Sequence, residues 1–272
     1  MGAVDPRSAL LAAAVNPFGD VGEAALWLAA EDCEGVGVAE LSAQLDELAA
    51  ELRSRAGSAV TELPDPGAAH LIGALLSDRL GLRPGEGTDP RAHYLHTVMA
   101  RGEGIPIACA ALWLAVGRRA GMHLEGIGLP GHFVVRVGGS LVDAHDGGTL
   151  LDDAAARRLA AVGLGGEVPD RLSPAWLRPL TLREMLARMS RNLRACHAGG
   201  HRWGLALQAA DRCVALLPLD AGDRRERGLL RFRVGLPMPA LGDLRAYLAA
   251  IPEAPDRAQV ETILARALGM VN

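Results

Sequence analysis

The sequence contains no lysine, because all 28 basic residues among its 272 are arginine. This absence excludes mechanisms that need a lysine amine, namely Schiff-base catalysis, a pyridoxal-phosphate anchor and the phosphate-binding lysine of a Walker loop. It also means that no lysine of this chain can accept an acyl group. We attribute the exclusive use of arginine to the base composition of the genome.

Aromatic residues are scarce, at 3%, and long apolar runs are missing. No stretch of about 18 apolar residues is free of charge, which argues against a membrane-spanning helix. Between Met1 and Val15 the only basic residue is Arg7, so we expect no secretory signal and a cytoplasmic location. The net charge of −4 argues against a nucleic-acid partner, because neutralising phosphates needs a basic excess.

Cysteine and histidine are present, but not at the spacings of a metal centre. The four cysteines, which form no Cys-x-x-Cys pair and which we expect to be mostly small buried residues, are Cys33, Cys109, Cys196 and Cys213. Three groups resemble ligand sets only superficially: His93 with His96, His132 with His145, and Cys196 with His197 and His201. None of them supplies four donors at a standard zinc spacing. We therefore predict neither a metal nor a cofactor.

The hydrophobic pattern changes along the first two thirds of the chain. Residues 5–56 and 70–80 have helical periodicity, and Pro106 begins a helix over 107–120 that is apolar on nearly all sides. The segments 124–129, 132–137 and 141–144 then read as strands, with a turn at Gly138-Gly139. From Leu150 onward the pattern is helical again. A buried helix followed by an antiparallel meander predicts an α+β fold.

The last third reads as helical throughout and contains an internal repeat. Ala206-Leu207 and Pro218 recur 34 residues later as Ala240-Leu241 and Pro252. This period is that of tetratricopeptide repeats, in which each unit is a pair of helices, although an ordinary helical bundle can share the spacing. We expect a capping helix over 256–268. The predicted domains are a core at 1–178 and a repeat tail at 179–272.

Three motifs resemble those of a transglutaminase-like core: Arg101-Gly102-Glu103-Gly104-Ile105-Pro106, Leu129-Pro130-Gly131-His132-Phe133, and Val142-Asp143-Ala144-His145-Asp146-Gly147-Gly148. With helical repeats behind them, they resemble the SirB-type bacterial family. The resemblance implies a Cys-His-Asp triad, with the cysteine at the start of the buried helix and the other two residues on the strands that follow. His132 and Asp143 match the second and third positions of this triad.

The first position of the triad does not match. Active relatives carry the cysteine where this chain has Pro106, and the SirB-type family also carries proline there. The nearby thiol is Cys109, which lies one turn, or about 4–5 Å, further along the helix axis. Cys109, His132 and Asp143 are therefore the candidate catalytic residues. Each also has a structural interpretation: Cys109 as a core residue, His132 as a partner of Asp143, and Asp143 as a turn or capping residue.

Three functions remain open at this stage. The favoured one is a binding or weakly catalytic module with a degenerate nucleophile position and a protein or peptide partner. The second is a cysteine-dependent acyl transferase or amide hydrolase that uses Cys109, His132 and Asp143. The third is an enzyme that uses only His132 and Asp143 for acid–base chemistry. His145 and Asp146 are assigned to the turn, and His93 and His96 to the surface or the rim of the cleft.

Overall fold

The computed structural model describes residues 4–16, 18–57 and 65–271. They form two compact units, one ending at Met185 and the other beginning at Leu186. The division between residues 178 and 179 stays a prediction. The sequence also predicts a linker or turn from Gly57 to Pro66, and most of this segment lies outside the described residues.

Four helices open the first unit: α1 (Pro6–Val15), α2 (Val21–Asp32), α3 (Val38–Ala56) and α4 (Asp65–Leu80). Helices α1 and α2 begin after Asp5 and Asp20, whose carboxylates accept hydrogen bonds from backbone N–H groups of the first turn. The predicted helical N-terminal part is confirmed. Helix α4 begins at Asp65 rather than at His70, and Gly81 (φ +62°) follows its end.

The buried central helix of the prediction is α6 (Pro106–Arg119), which follows α5 (Leu95–Arg101). Every residue from Ile107 to Gly117 is buried, and α6 packs against α2, α3 and α5. Before it, the short strands β1 (Arg83–Pro84) and β2 (Glu103–Gly104) pair in parallel. A 3₁₀ turn at Pro90–His93 lies between them.

The sheet has four antiparallel strands in chain order: β3 (Leu124–Ile127), β4 (Val134–Val137), β5 (Ser140–Asp143) and β6 (Thr149–Leu151). Three were predicted, and β6 was missed because a three-residue edge strand is too short to show alternation. Helix α7 (Asp153–Ala161) follows and packs on Ile127 and Val134 through its alanines. A 3₁₀ turn at Val162–Leu164 and helix α8 (Pro174–Leu177) follow, and the unit ends at Met185 in the first turn of the next helix.

The tail contains five helices within the described residues: α9 (Leu182–Gly199), α10 (Trp203–Leu216), α11 (Ala221–Arg233), α12 (Pro237–Ala250) and α13 (Arg257–Gly269). The predicted repeat is visible in the backbone. Leu217 ends α10 at φ −128° and ψ 72°, and Ile251, 34 residues later, ends α12 at φ −128° and ψ 80°. Within the described part of the chain, no helix is both long and apolar enough to span a lipid bilayer.

Candidate active site

A histidine–carboxylate pair lies at one end of the sheet. His132 precedes β4, Asp143 ends β5, and the His132 Nε2 lies 3.0 Å from the Asp143 Oδ2. The two side chains are 11% and 7% exposed, so water screens the contact only weakly. The hydrogen bond uses Nε2 and therefore fixes which ring nitrogen faces the carboxylate.

The backbone around Asp143 fixes the position of its carboxylate. Its Oδ1 accepts the backbone N–H of His145 at 3.0 Å, and its carbonyl oxygen accepts the N–H groups of Asp146 and Gly148. Gly148 has φ +92°, and a Cβ there would lie 2.5 Å from the Trp113 ring of α6. The turn after β5 therefore needs glycine at this position and is held against the central helix.

Burial alone would raise the pKa of Asp143. The hydrogen bond and charge of His132, together with the His145 N–H, outweigh it and bring the pKa below the ordinary value of 3.8. Asp143 is consequently ionised at neutral pH. An ionised carboxylate at this distance orients the His132 ring.

The glycine-proline segment before α6 lies beside the turn after β5, because the Gly104 backbone interacts with His145. The Gly104 carbonyl accepts the Gly85 N–H at 2.9 Å, and the Ile105 N–H donates to the Ala92 carbonyl at 2.9 Å. Pro106 occupies the first helical position, where its missing N–H costs no hydrogen bond. The side chain at the position expected for a nucleophile is therefore a pyrrolidine ring.

Cys109 is completely buried, at 0% exposure. A Cβ added to Gly104 would lie 3.0 Å from the Cys109 Sγ, so the sulfur faces the glycine before the helix. Burial, and secondarily the negative charge of Asp143, raise the pKa of the Cys109 thiol from 9.0 to about 12. The thiol is therefore protonated at neutral pH.

His145 is a site residue that the sequence interpretation left to the turn. Its ring centroid lies 5.9 Å from that of His132 in an edge-on arrangement, and its Nε2 is buried without a hydrogen-bond partner. Burial lowers the pKa of His145 below 6.5, against the opposing effects of Asp143 and the Gly104 backbone. The sequence did contain one indication that His145 belongs to the site. It lies two residues after Asp143, in a turn that folds back on the central helix.

The other predicted ligand-like groups do not assemble a metal centre. His93 is buried rather than at the surface, and its Nε2 lies 2.8 Å from the Gly87 carbonyl oxygen. The Nε2 of His96 lies 3.1 Å from the Thr97 hydroxyl. Among residues 4–16, 18–57 and 65–271, no three His, Cys, Asp or Glu side chains are grouped so as to hold a metal ion.

Comparison with known proteins shows to which superfamily the chain belongs. A sequence profile of the transglutaminase-like superfamily matches residues 39–191, which is more than half of the 272 residues, so the chain belongs to this superfamily. A tetratricopeptide-repeat profile matches residues 193–265, which confirms the predicted repeats.

Two bacterial proteins of the UPF0162 group are similar to the chain. It is 30% identical over 257 residues to a UPF0162 protein of Pseudomonas aeruginosa, with 90% of each chain covered. It is 40% identical over 169 residues to a UPF0162 protein of Xylella fastidiosa, a match that spans 60% of each chain. No solved structure matches the chain.

Proposed function

We propose that this chain is a transglutaminase-like module without a working cysteine nucleophile, and that it binds a protein or peptide partner. The observation that carries the proposal is the state of Cys109. Its thiol is fully buried, and burial raises its pKa to about 12. Cysteine chemistry requires the thiolate, and reactive cysteines lie in partly exposed, electropositive surroundings.

Pro106 supports the same interpretation. It occupies the first position of α6, where the helix dipole would lower the pKa of a cysteine most. Proline offers no nucleophile there. A place for this chain within the SirB-type family, and a cytoplasmic location, form part of the same proposal.

The tail supports the binding role. Tetratricopeptide repeats stack helix pairs into extended concave surfaces that bind other proteins, and their profile matches residues 193–265. Since the chain carries a net charge of −4, we propose a protein or peptide partner and not a nucleic acid. The proposal assigns no cofactor and no metal.

A second candidate is acid–base catalysis without the cysteine. It is favoured by the 3.0 Å hydrogen bond between His132 and the ionised Asp143, which is the arrangement of a general base and its orienting carboxylate. The neutral ring of His145 lies beside this pair and would supply a second group able to accept a proton.

The cysteine-dependent alternative keeps Cys109, His132 and Asp143 as nucleophile, base and orienting residue. The electrostatics of the site oppose this alternative, because the negative charge of Asp143 disfavours ionisation of the Cys109 thiol. Thiol reactivity tests it directly. Native protein treated with iodoacetamide near neutral pH should be alkylated at the half-buried Cys33 and Cys196 well before Cys109. Alkylation of Cys109 ahead of both would contradict the proposal.

An activity measurement distinguishes the three functions. Ammonia release from a glutamine-containing peptide would be followed for the wild type and for Cys109→Ala, Cys213→Ala and His132→Ala. The proposal expects no turnover that depends on Cys109. Turnover that is lost in Cys109→Ala but kept in Cys213→Ala overturns it, whereas turnover lost only in His132→Ala supports the second candidate.

A further inference from the structure

A groove outside the candidate active site lies between helices α2 and α3. Its volume is about 430 Å³, which is within the range of small-ligand pockets. Its lining is mostly apolar, from Val36, Val38 and two alanines, with Trp27 at the side of α2. Glu23 and Asp46 are the ionisable side chains in this lining, and both are acidic. The groove therefore combines an apolar surface with negative charge.

The acidic character of the groove extends to the whole sequence segment that forms it. Residues 8–52 contain nine acidic residues and no arginine, lysine or histidine. A segment with one sign of charge raises the local concentration of ligands of the opposite sign. Helix α2 also precedes residue 39, where the match to the superfamily begins, so half of this groove lies outside the matched region.

One guanidinium from α6 partly neutralises the groove. Arg119 pairs with Asp20 at 2.8 Å and with Asp46 at 3.0 Å, and it also donates to Ser42. Arg118 of the same helix also interacts electrostatically with Asp20. The carboxylates of Asp20, Glu23 and Asp46 outnumber these two arginines, so the groove keeps a negative charge. Asp46 remains 69% exposed, so its outer side is accessible to a ligand.

Trp27 supplies the second recognition element. Its Nε1–H donates to the Glu23 Oε1 at 3.3 Å, which holds the indole and the carboxylate together. The indole is half-buried, whereas Glu23 is exposed. An indole with a carboxylate at its edge attracts organic cations, since the ring face and the carboxylate both favour positive charge.

We propose that this groove binds the side chain of a lysine or arginine in a basic segment of a partner protein. These side chains have an apolar stem and a charged end, which match the apolar lining and the Glu23–Asp46 pair respectively. The site differs from the His132–Asp143 pair and from the repeat tail in both position and chemistry. It gives the core an interaction surface of its own.

The test uses the full chain labelled with ¹⁵N-tryptophan, with the Trp27 indole signal assigned by Trp27→Phe. The probe is a blocked heptapeptide of alanine and glycine with one central lysine, at low salt to limit screening. The matched peptide carries norleucine, which has the stem without the charge. We expect the lysine peptide to shift the Trp27 signal and the norleucine peptide to leave it unchanged.

Two double variants distinguish a direct contact between the peptide and the groove carboxylates from the long-range attraction of the acidic segment. Glu23→Gln with Asp46→Asn should weaken lysine-peptide binding roughly tenfold, as expected for two exposed charge contacts. Glu34→Gln with Glu47→Gln removes the same charge from exposed positions outside the lining and should weaken it less than about twofold. Comparable melting temperatures establish that both variants fold.

Four outcomes would overturn the proposal. They are an unmoved Trp27 signal at saturating peptide, equal shifts with lysine and norleucine, equal weakening by the two variant pairs, and a Trp27 shift that follows protein concentration without peptide. The last outcome would identify a second copy of this chain as the occupant.

Discussion

The core and the tail each bury a cysteine, and the two thiols have the same exposure and the same pKa. Cys109 of α6 and Cys213 of α10 are both 0% exposed, and burial raises the pKa of each to about 12. Only Cys109 lies where the superfamily resemblance leads one to look for a nucleophile. Its burial and its pKa do not distinguish it from a cysteine of a repeat helix.

The charged groups near the two thiols differ. Burial and the nearby carboxylate of Asp223 raise the pKa of Cys213, whereas Arg194, Arg191 and Arg212 lower it. The charged neighbour of Cys109 is Asp143, which raises its pKa further. Both thiols therefore have a carboxylate nearby, but arginines offset it only at Cys213, for which no chemistry is proposed.

The buried carboxylates continue the comparison. In the core, Asp143 is paired with the imidazole of His132 at 3.0 Å. In the tail, Asp243 is paired with Arg227 at 2.6 Å and with Arg231 at 2.9 Å, both of which are permanently charged. A carboxylate held by arginines is a structural element, so the largest effects on stability are expected in the tail.

The first prediction is that Asp243→Ala destabilises the protein by about 3 kcal/mol. Asp243 is 4% exposed, and its removal leaves Arg227 and Arg231 without their buried partner. The free energy of unfolding in urea measures the effect. Asp211→Ala is the matched control, because Asp211 contacts the same two arginines but is 34% exposed. We expect it to cost about 1 kcal/mol or less. Equal losses would contradict this account.

The second prediction concerns the turn before His132 in the core. Gly131 has φ +67°, and a Cβ there would lie 2.4 Å from the backbone nitrogen of Gly163. Gly131→Ala should therefore cost about 2 kcal/mol, from left-handed strain and from displaced backbone. Gly147→Ala is the control, since Gly147 has φ +62° with open space around it. It should cost about 1 kcal/mol from strain alone.

The two glycine variants also distinguish a loss of stability from a displacement of the His132 side chain. In the first variant, displacement of the turn moves His132 relative to Asp143, and the NMR shifts of the His132 ring should change. In Gly147→Ala they should stay close to the wild-type values. If both variants lose the same stability and leave His132 unchanged, the contact between Gly131 and Gly163 does not position the site.

Much of the fold could be predicted from the sequence because its signals are local. The apolar surface of α6 on all sides, the glycine turns of the meander and the 34-residue period each correspond to an observed element. The short strand β6 and the early start of α4 were missed, since three residues of edge strand and one N-terminal turn leave no periodic signal.

The candidate site could be predicted only in part. The positions of His132 and Asp143 follow from motif order along neighbouring strands. The burial of the Cys109 sulfur against Gly104, and the approach of His145 to His132, depend on long-range packing that no single segment encodes. The sequence could therefore locate the site but not the protonation state of its thiol.

The third prediction tests the likeness of the two buried thiols. Cys109→Ala and Cys213→Ala should each cost about 1 kcal/mol, because each deletes one buried atom of methylene size. Urea unfolding of both variants measures this. A much larger loss for Cys109→Ala would indicate that the core thiol has a structural role beyond filling space. Cys33→Ala, at a half-buried position, is the control and should cost less than either.

The smallest effect is expected from His145, and it depends on pH. Burial lowers the pKa of His145 below 6.5 in the folded protein, so the unfolded chain binds this proton more tightly. As the pH falls below about 6.5, the unfolded state gains the proton first and stability is lost. His145→Gln removes this loss, and between about pH 7 and pH 5 its stability should fall less than that of the wild type, by up to about 1 kcal/mol.

The same pH series includes His123→Gln as the control, because the His123 side chain is 84% exposed. Its profile should follow that of the wild type. His93 and His96 remain in both proteins, and burial lowers their pKa values as well, so their contributions cancel in the difference between wild type and His145→Gln. Parallel profiles for wild type and His145→Gln would mean that the His145 ring is solvated in solution. It would then be part of the turn rather than of the site that distinguishes the core from the tail.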